Sequence, residues 1–202
     1  MDQKEEISLR EKIVRTSRKL LLEEGYRNLS LRKVARNIGV SATSIYLHFD
    51  SKDHLIHTLI DESIQKLNSK LAETAARYTD PVQRLEALAW TYVNFGLDNP
   101  GEYQIIYVVS SDEMTRYPKE KFRKARKGYE LLTKTIEEGV KKGIMQEKDP
   151  RTASYTFWAQ LHGVMSVVLT RRLDTRIEQS EFIDQAIDHI IDGFHVRTAV
   201  SQ

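Results

Sequence analysis

LSLRKVARNIGVSATSIYLHFDSK, residues 29–52, is the stretch whose reading decides the fold. It reads as two short helices joined by Ile38-Gly39-Val40. Glycine at position 39 permits the positive-φ conformation that a tight turn between helices needs. Ser30 and Ser41 each precede a helical start and are good N-caps. Val34, Ala35 and Ile38 form an inner face, and the small Ala35 allows close helix approach. Val40 fills the turn, and Ile45 and Phe49 anchor the second short helix, expected over Ala42 to Phe49. Its other face offers Thr43, Ser44, Tyr46 and His48, all able to hydrogen-bond and none acidic. A helix lying in a DNA major groove needs that combination. Lys52 opens the next helix, where its ammonium, the backbone N–H groups and the helix dipole can face one phosphate.

Outward from this segment the chain shows long 3.6-residue periodicity, few Gly and Pro, and no alternating strand pattern, so the fold class is all-α with about nine helices. An upstream helix is expected from about Leu9 to Glu24, with Ile13, Ser17, Leu20 and Leu21 inward and Gly25 as its stop. A helix from about 52 to 76 follows, with Leu55, Leu59, Leu67 and Leu71 on one stripe. Pro81 to about Leu97, Glu102 to about Val109 and Lys119 to Lys142 are the next three, with Asn99-Pro100-Gly101 as a turn. The last two are expected from Pro150, capped by Asp149, to about Leu173, and from Glu181, capped by Ser180, to about Arg197. The division expected is a helix-turn-helix domain over 1–54 and a second helical domain over 55–202.

Composition narrows the function. The 202 residues carry 31 Lys+Arg, 29 Asp+Glu and no Cys, with 40% hydrophobic residues. That is apolar enough for a packed core. Without cysteine there is no disulfide scaffold, thiolate nucleophile or Cys-based zinc site. The start MDQKEEISLREK has no apolar run of the kind a secretion signal carries. The most apolar stretch, Trp158 to Leu169, is interrupted by Gln160, His162, Gly163 and Ser166 and falls short of a membrane span. No membrane association and a cytoplasmic location are expected. Neither a Gly-rich phosphate loop nor a GxSxG turn occurs, so the chain is not expected to be an enzyme and no cofactor is implied. His54 and His57, three apart, suggest a surface pair more than a metal site, and no metal is expected. The basic run Lys119 to Tyr129 reads mainly as a solvated face of its helix.

Residues 9–60 resemble the N-terminal domain of TetR-family transcriptional regulators. The resemblance runs through Gly25-Tyr26, Ser30-Leu31-Arg32, Val34-Ala35, Gly39-Val40-Ser41, Ile45-Tyr46-Leu47-His48-Phe49 and Ser51-Lys52-Asp53-Leu55. It implies a dimeric helix-turn-helix protein, commonly a repressor released by a small ligand, in which Tyr46 and Lys52 match phosphate contacts. Ala42-Thr43 departs from the Gly or Lys common after the matching serine, which leaves base preference open. The C-terminal part, about 80–195, resembles a TetR subgroup labelled by a Trp-His-Gly (WHG) motif, here Trp158, His162 and Gly163, and the segment NPGEYQIIY is similar to that group.

The candidate DNA contacts are therefore Ser30, Arg32, Ser41, Thr43, Ser44, Tyr46, His48 and Lys52, and the expected partner is double-stranded DNA with a near-palindromic operator. A candidate pocket for a small, mostly apolar effector is Trp90, Phe95, Tyr103, Tyr107, Tyr129, Trp158, His162 and Met165, since aromatics with a few hydroxyls suit such a ligand. The same aromatics at helical spacing would also serve as plain core, and His162 as a core histidine. The helices at about 150–173 and 180–197 are apolar over wide faces and are the expected homodimer interface. A helical binding module without DNA activity would leave Arg32, Tyr46 and Lys52 idle. Repressor and activator remain alternatives, because the sign depends on operator position.

Overall fold

The computed structural model describes residues 7–107, 109, 114 and 126–194. Among them the regular structure is all helical: α1 (Leu9–Asn28), α2 (Leu31–Ile38), α3 (Ala42–Tyr46), α4 (Lys52–Ala75), α5 (Pro81–Asp98), α6 (Pro100–Tyr107), α7 (Lys127–Lys141), α8 (Pro150–Leu169) and α9 (Gln179–Asp192). The chain forms two compact units, one from Met1–Ile64 and Gly101–Lys121, the other from Gln65–Pro100 and Phe122–Gln202.

In the first unit, Ser8 and Glu11 form a reciprocal capping box that starts α1. Ile13, Ser17, Leu20 and Leu21 are buried as the periodicity requires. Gly25 breaks the helical path at φ +77, and a further turn carries the chain to Asn28. Ser30 caps α2, its hydroxyl oxygen accepting from the Lys33 amide at 3.2 Å. Gly39 ends α2 in the left-handed region, at φ +74. The core of this unit joins Ile13, Leu21, Val34, Ile45, Phe49, Leu55, Leu59 and Ile105, from α1 through α4 and α6. A part-buried polar clamp reinforces it. Arg18 of α1 donates to Glu62 at 3.1 Å and to the Ser63 hydroxyl at 3.0 Å on α4, and it pairs with Glu102 of α6. Ser63 is fully buried. One planar guanidinium thus satisfies groups on two other helices at once, with two nitrogens held in a fixed fork that a lysine's single ammonium lacks.

In the second unit, α5, α7, α8 and α9 pack on one another. Asp80 caps α5 by accepting from the amides of Val82 and Gln83, and Asp149 caps α8 by accepting from the Arg151 amide. The Thr152 hydroxyl bonded to Asp149 is the main reason that carboxyl sits below its usual range. Leu85, Phe95, Ile136, Phe157 and Met165 are buried to 1% or less. The outward side of α8 carries Thr156, Ala159, Gly163 and Ser166, none of them in the buried core. They recur every three or four residues with no charge among them.

Several element ends differ from the sequence reading. The helix expected over 42–49 closes at Tyr46, because the His48 amide turns back to Ile45 rather than Ser44, tightening the last turn. Pro100 and Gly101 are not a turn: they open α6, and only Asn99 separates it from α5. Proline fits there because a first-turn N–H has no intrahelical partner. Ser180 does not cap α9, which starts at Gln179 after Glu178; its hydroxyl donates to the Glu178 carboxylate instead. The helix expected to reach Leu173 ends at Leu169, where Arg171 takes a positive φ of 54°. Of the helix expected over 119–142, residues 127–141 are helical and 119–125 lie outside the described residues, as does most of the basic run; residues 195–197 of the last expected helix lie outside them too.

The turn at Gly39 has open space where a Cβ would stand, so a substitution there meets a conformational cost alone. Gly39→Val is expected to cost about 1–2 kcal/mol and lower the thermal unfolding midpoint by about 2–8 °C. Gly39→Asn, which tolerates that region, is expected to lose clearly less. Calorimetry of the three proteins checks this, and equal losses would contradict it.

Candidate nucleic-acid interface

The segment from Tyr26 to Phe49 holds four cations, Arg27, Arg32, Lys33 and Arg36, and no carboxylate. Ile45 and Phe49 are buried to 1% or less and moor α3 to the first unit. Mooring those two positions turns the intervening ones outward. Arg32, Ser41, Thr43, Tyr46 and His48 are all exposed, Tyr46 at 51%. Two hydroxyls are partly committed to local structure. Ser30 caps α2, and Ser41 accepts from the Ser44 amide at 3.1 Å with its oxygen 2.8 Å from the Ser44 hydroxyl. Ser44 is half-buried. Thr43 is therefore the better exposed of the two hydroxyls expected to face bases.

Lys52 is half-buried at the first position of α4. Its ammonium lies 3.8 Å from the centroid of the Tyr26 ring and donates to the Tyr26 carbonyl at 3.1 Å. The Tyr26 hydroxyl in turn donates to Asp53 at 2.7 Å. Tyr26 was not among the expected site residues, yet its ring and carbonyl fix where the Lys52 charge sits. The Gly25-Tyr26 pair was the signal in the sequence.

The expected pocket residues divide between the units. Tyr103, buried, and Tyr107, half-buried, lie in the first, with ring centroids 4.8 Å apart. In the second, Tyr129 stacks on Tyr155 at 4.5 Å and meets Trp158 edge-on at 5.4 Å. Trp158 stacks on His162 at 5.2 Å, and the His162 Nδ1 is 3.5 Å from the Tyr92 hydroxyl. Trp90 is half-buried, while Phe95 and Met165 are core. A cleft of about 440 Å³ opens elsewhere in this unit, lined by Gln146 to Asp149, Thr152, Ala153 and Thr156. None of the expected effector contacts lines it.

Comparison with known proteins bears on both units. Residues 13–59 match the family described as "Bacterial regulatory proteins, tetR family", and residues 85–190 match "Tetracyclin repressor-like, C-terminal domain". The chain belongs to the TetR family. Members are DNA-binding transcriptional regulators rather than enzymes, and dimers and ligand response are typical of them. Solved structures of similar fold include a protein of unknown function from Rhodococcus sp. RHA1, at 21% identity and TM-score 0.80, covering 96% of this chain and 100% of that one. The TetR family transcriptional regulator PfmR from Thermus thermophilus is 18% identical, at TM-score 0.70 and coverages of 89% and 97%. The fatty acid degradation regulator FadR from Bacillus halodurans is 21% identical, at TM-score 0.72 and coverages of 90% and 94%.

In this TetR-family chain His57 is not part of a surface pair with His54: it is 5% exposed, because it shares the inward side of α4 with neighbours such as Ile56 and Ile60. Among the described residues no group of three or more His, Asp or Glu side chains is arranged to hold a metal ion, and no helix is long and apolar enough to cross a membrane.

Burial holds the His162 imidazole below its usual range, so it is neutral at physiological pH. The unfolded chain takes up that proton as pH falls through the ordinary histidine range near ~6.5, while the folded chain resists until lower pH. Stability is therefore expected to fall across that window. His162→Gln is expected to flatten the loss in unfolding midpoint between about pH 7.5 and about pH 5.5. An unchanged slope would show that other groups carry the pH dependence.

Proposed function

We propose that this TetR-family regulator is a homodimeric repressor whose N-terminal residues 1–54 bind a near-palindromic operator and whose residues 55–202 bind a small, mostly apolar effector. The observation that carries the DNA reading is the carboxylate-free segment from Tyr26 to Phe49, with Arg32, Thr43, Tyr46 and His48 exposed on a helix-turn-helix. In this reading Arg32, Tyr46 and Lys52 hold phosphates, Thr43, Ser44 and His48 face base edges, and Ser30 and Ser41 aim their helix N-termini at the backbone. The dimer forms through α8 and α9. The uncharged Thr156, Ala159, Gly163 and Ser166 suit close contact with a second α8.

The effector reading places the pocket in the second unit, around Trp90, Tyr129, Trp158 and His162. Its support is the joined rings of Tyr129, Trp158 and His162, where a neutral imidazole offers one donor and one acceptor within an aromatic group. Trp158, His162 and Gly163 also match the motif of the WHG subgroup, to which we assign the chain. A structural neighbour is a fatty acid degradation regulator, in keeping with an apolar effector. The protein would work in the cytoplasm, where operator and effector meet. Effector binding shifts α4, which runs unbroken from Lys52 to Ala75, and moves Lys52 and the helix-turn-helix off the operator spacing. Coupling of about 1–3 kcal/mol would change operator affinity by about 5–150-fold.

Selection from a random double-stranded DNA pool with the purified protein is expected to return a near-palindrome with half-sites a whole number of turns apart. Recovery of no sequence at low salt would overturn the DNA reading. On the selected operator, Lys52→Ala is expected to weaken binding to all sequences alike and reduce the salt slope by about one. A changed sequence preference would contradict a phosphate role for Lys52.

A further inference from the structure

Among the described residues the most exposed large apolar side chain is Leu47, at 80%. A single exposed leucine is ordinary on a protein surface. Leu47's exposed neighbours from Ser41 to His48 are otherwise hydroxyls and an imidazole. It has no share in the mooring of α3, which rests on Ile45 and Phe49 at two residues to either side. Its backbone amide donates to the Thr43 carbonyl at 3.2 Å, so Thr43 and Leu47 stand one turn apart on the same side. Leu47 belongs to the motif quoted above but not to the hydrogen-bonding candidates, because an isobutyl group makes no hydrogen bond.

We propose that Leu47 is a specificity-determining residue that reads thymine through its 5-methyl group, beside Thr43. The proposal rests on the DNA-binding reading above and adds to it which base feature one side chain selects. The major-groove edges of guanine, cytosine and adenine present hydrogen-bond donors and acceptors, whereas thymine alone adds a methyl group. An apolar side chain that reaches the groove floor gains from covering that methyl, and leaves a donor or acceptor dry over any other base. The absence of carboxylates from Tyr26 to Phe49 lets this face approach the polyanion closely enough for that contact.

The test uses the full chain and the selected operator, with each thymine replaced in turn by deoxyuridine, which removes the methyl and keeps base pairing. At one thymine in each half-site, uracil is expected to weaken wild-type binding about fivefold or more. Leu47→Ala is expected to bind the thymine and uracil forms equally at that position, and Leu47→Met to retain the difference. An exposed side chain leaves the fold alone, so the unfolding midpoint of Leu47→Ala should match the wild type. A wild type indifferent to uracil at every position would overturn the proposal. So would a Leu47→Ala protein that keeps the sensitivity, or one weakened equally on all sequences, which would mean a sugar or phosphate contact. Failure of the wild type to select any sequence would instead overturn the DNA reading itself.

Discussion

Five residues make too short a helix to persist on their own hydrogen bonds, because nucleation costs more than one turn returns. α3 therefore exists through the burial of Ile45 and Phe49. Replacing a buried aromatic by alanine typically costs about 3–5 kcal/mol, which is enough to release a segment this small. Everything the DNA-facing side can do follows from that mooring. With two positions held inward, Thr43, Tyr46, Leu47 and His48 have no freedom to turn elsewhere. The capping of α2 by Ser30, the positive φ at Gly39 and the Ser41–Ser44 bond all act to hold the same short piece in register.

The partners of that mooring come from distant parts of the chain. α1 and α4 supply Ile13, Leu21, Leu55 and Leu59, and α6 adds Ile105. Arg18 binds groups on α4 and α6 with one guanidinium, and Tyr26 holds Lys52 by its ring and its carbonyl. In the DNA-binding reading, a charge that meets phosphate is thus set by a neighbour whose own ring and carbonyl are already engaged. Single-residue reading finds the charge and misses its holder, because the holder's role is fixed by a contact across 26 positions of sequence.

The effector side was much less legible. Aromatic residues at helical spacing look alike in sequence whether they fill a core or line a pocket. Phe95 and Met165 became core, Tyr103 and Tyr107 joined the first unit, and Tyr92 and Tyr155 entered the aromatic group unannounced. The two histidines of α4 part for a related reason. Periodicity shows which residues share a helix face, and His57 went inward because its whole face did.

What the sequence determined by itself was the all-helical class, the helix-turn-helix at residues 29–52 and the caps made by Ser30, Ser41 and Asp149. These depend on local chemistry: period, a permissive glycine, and a side-chain oxygen within reach of the next amides. The tertiary structure decided the early close of α3, the start of α6 at Pro100, the seat of Lys52 on Tyr26 and the three-helix clamp of Arg18. The seat of Lys52 and the clamp of Arg18 join residues far apart in the chain, which no window of neighbouring residues contains, and the two helix ends are set by backbone turns that periodicity alone does not show.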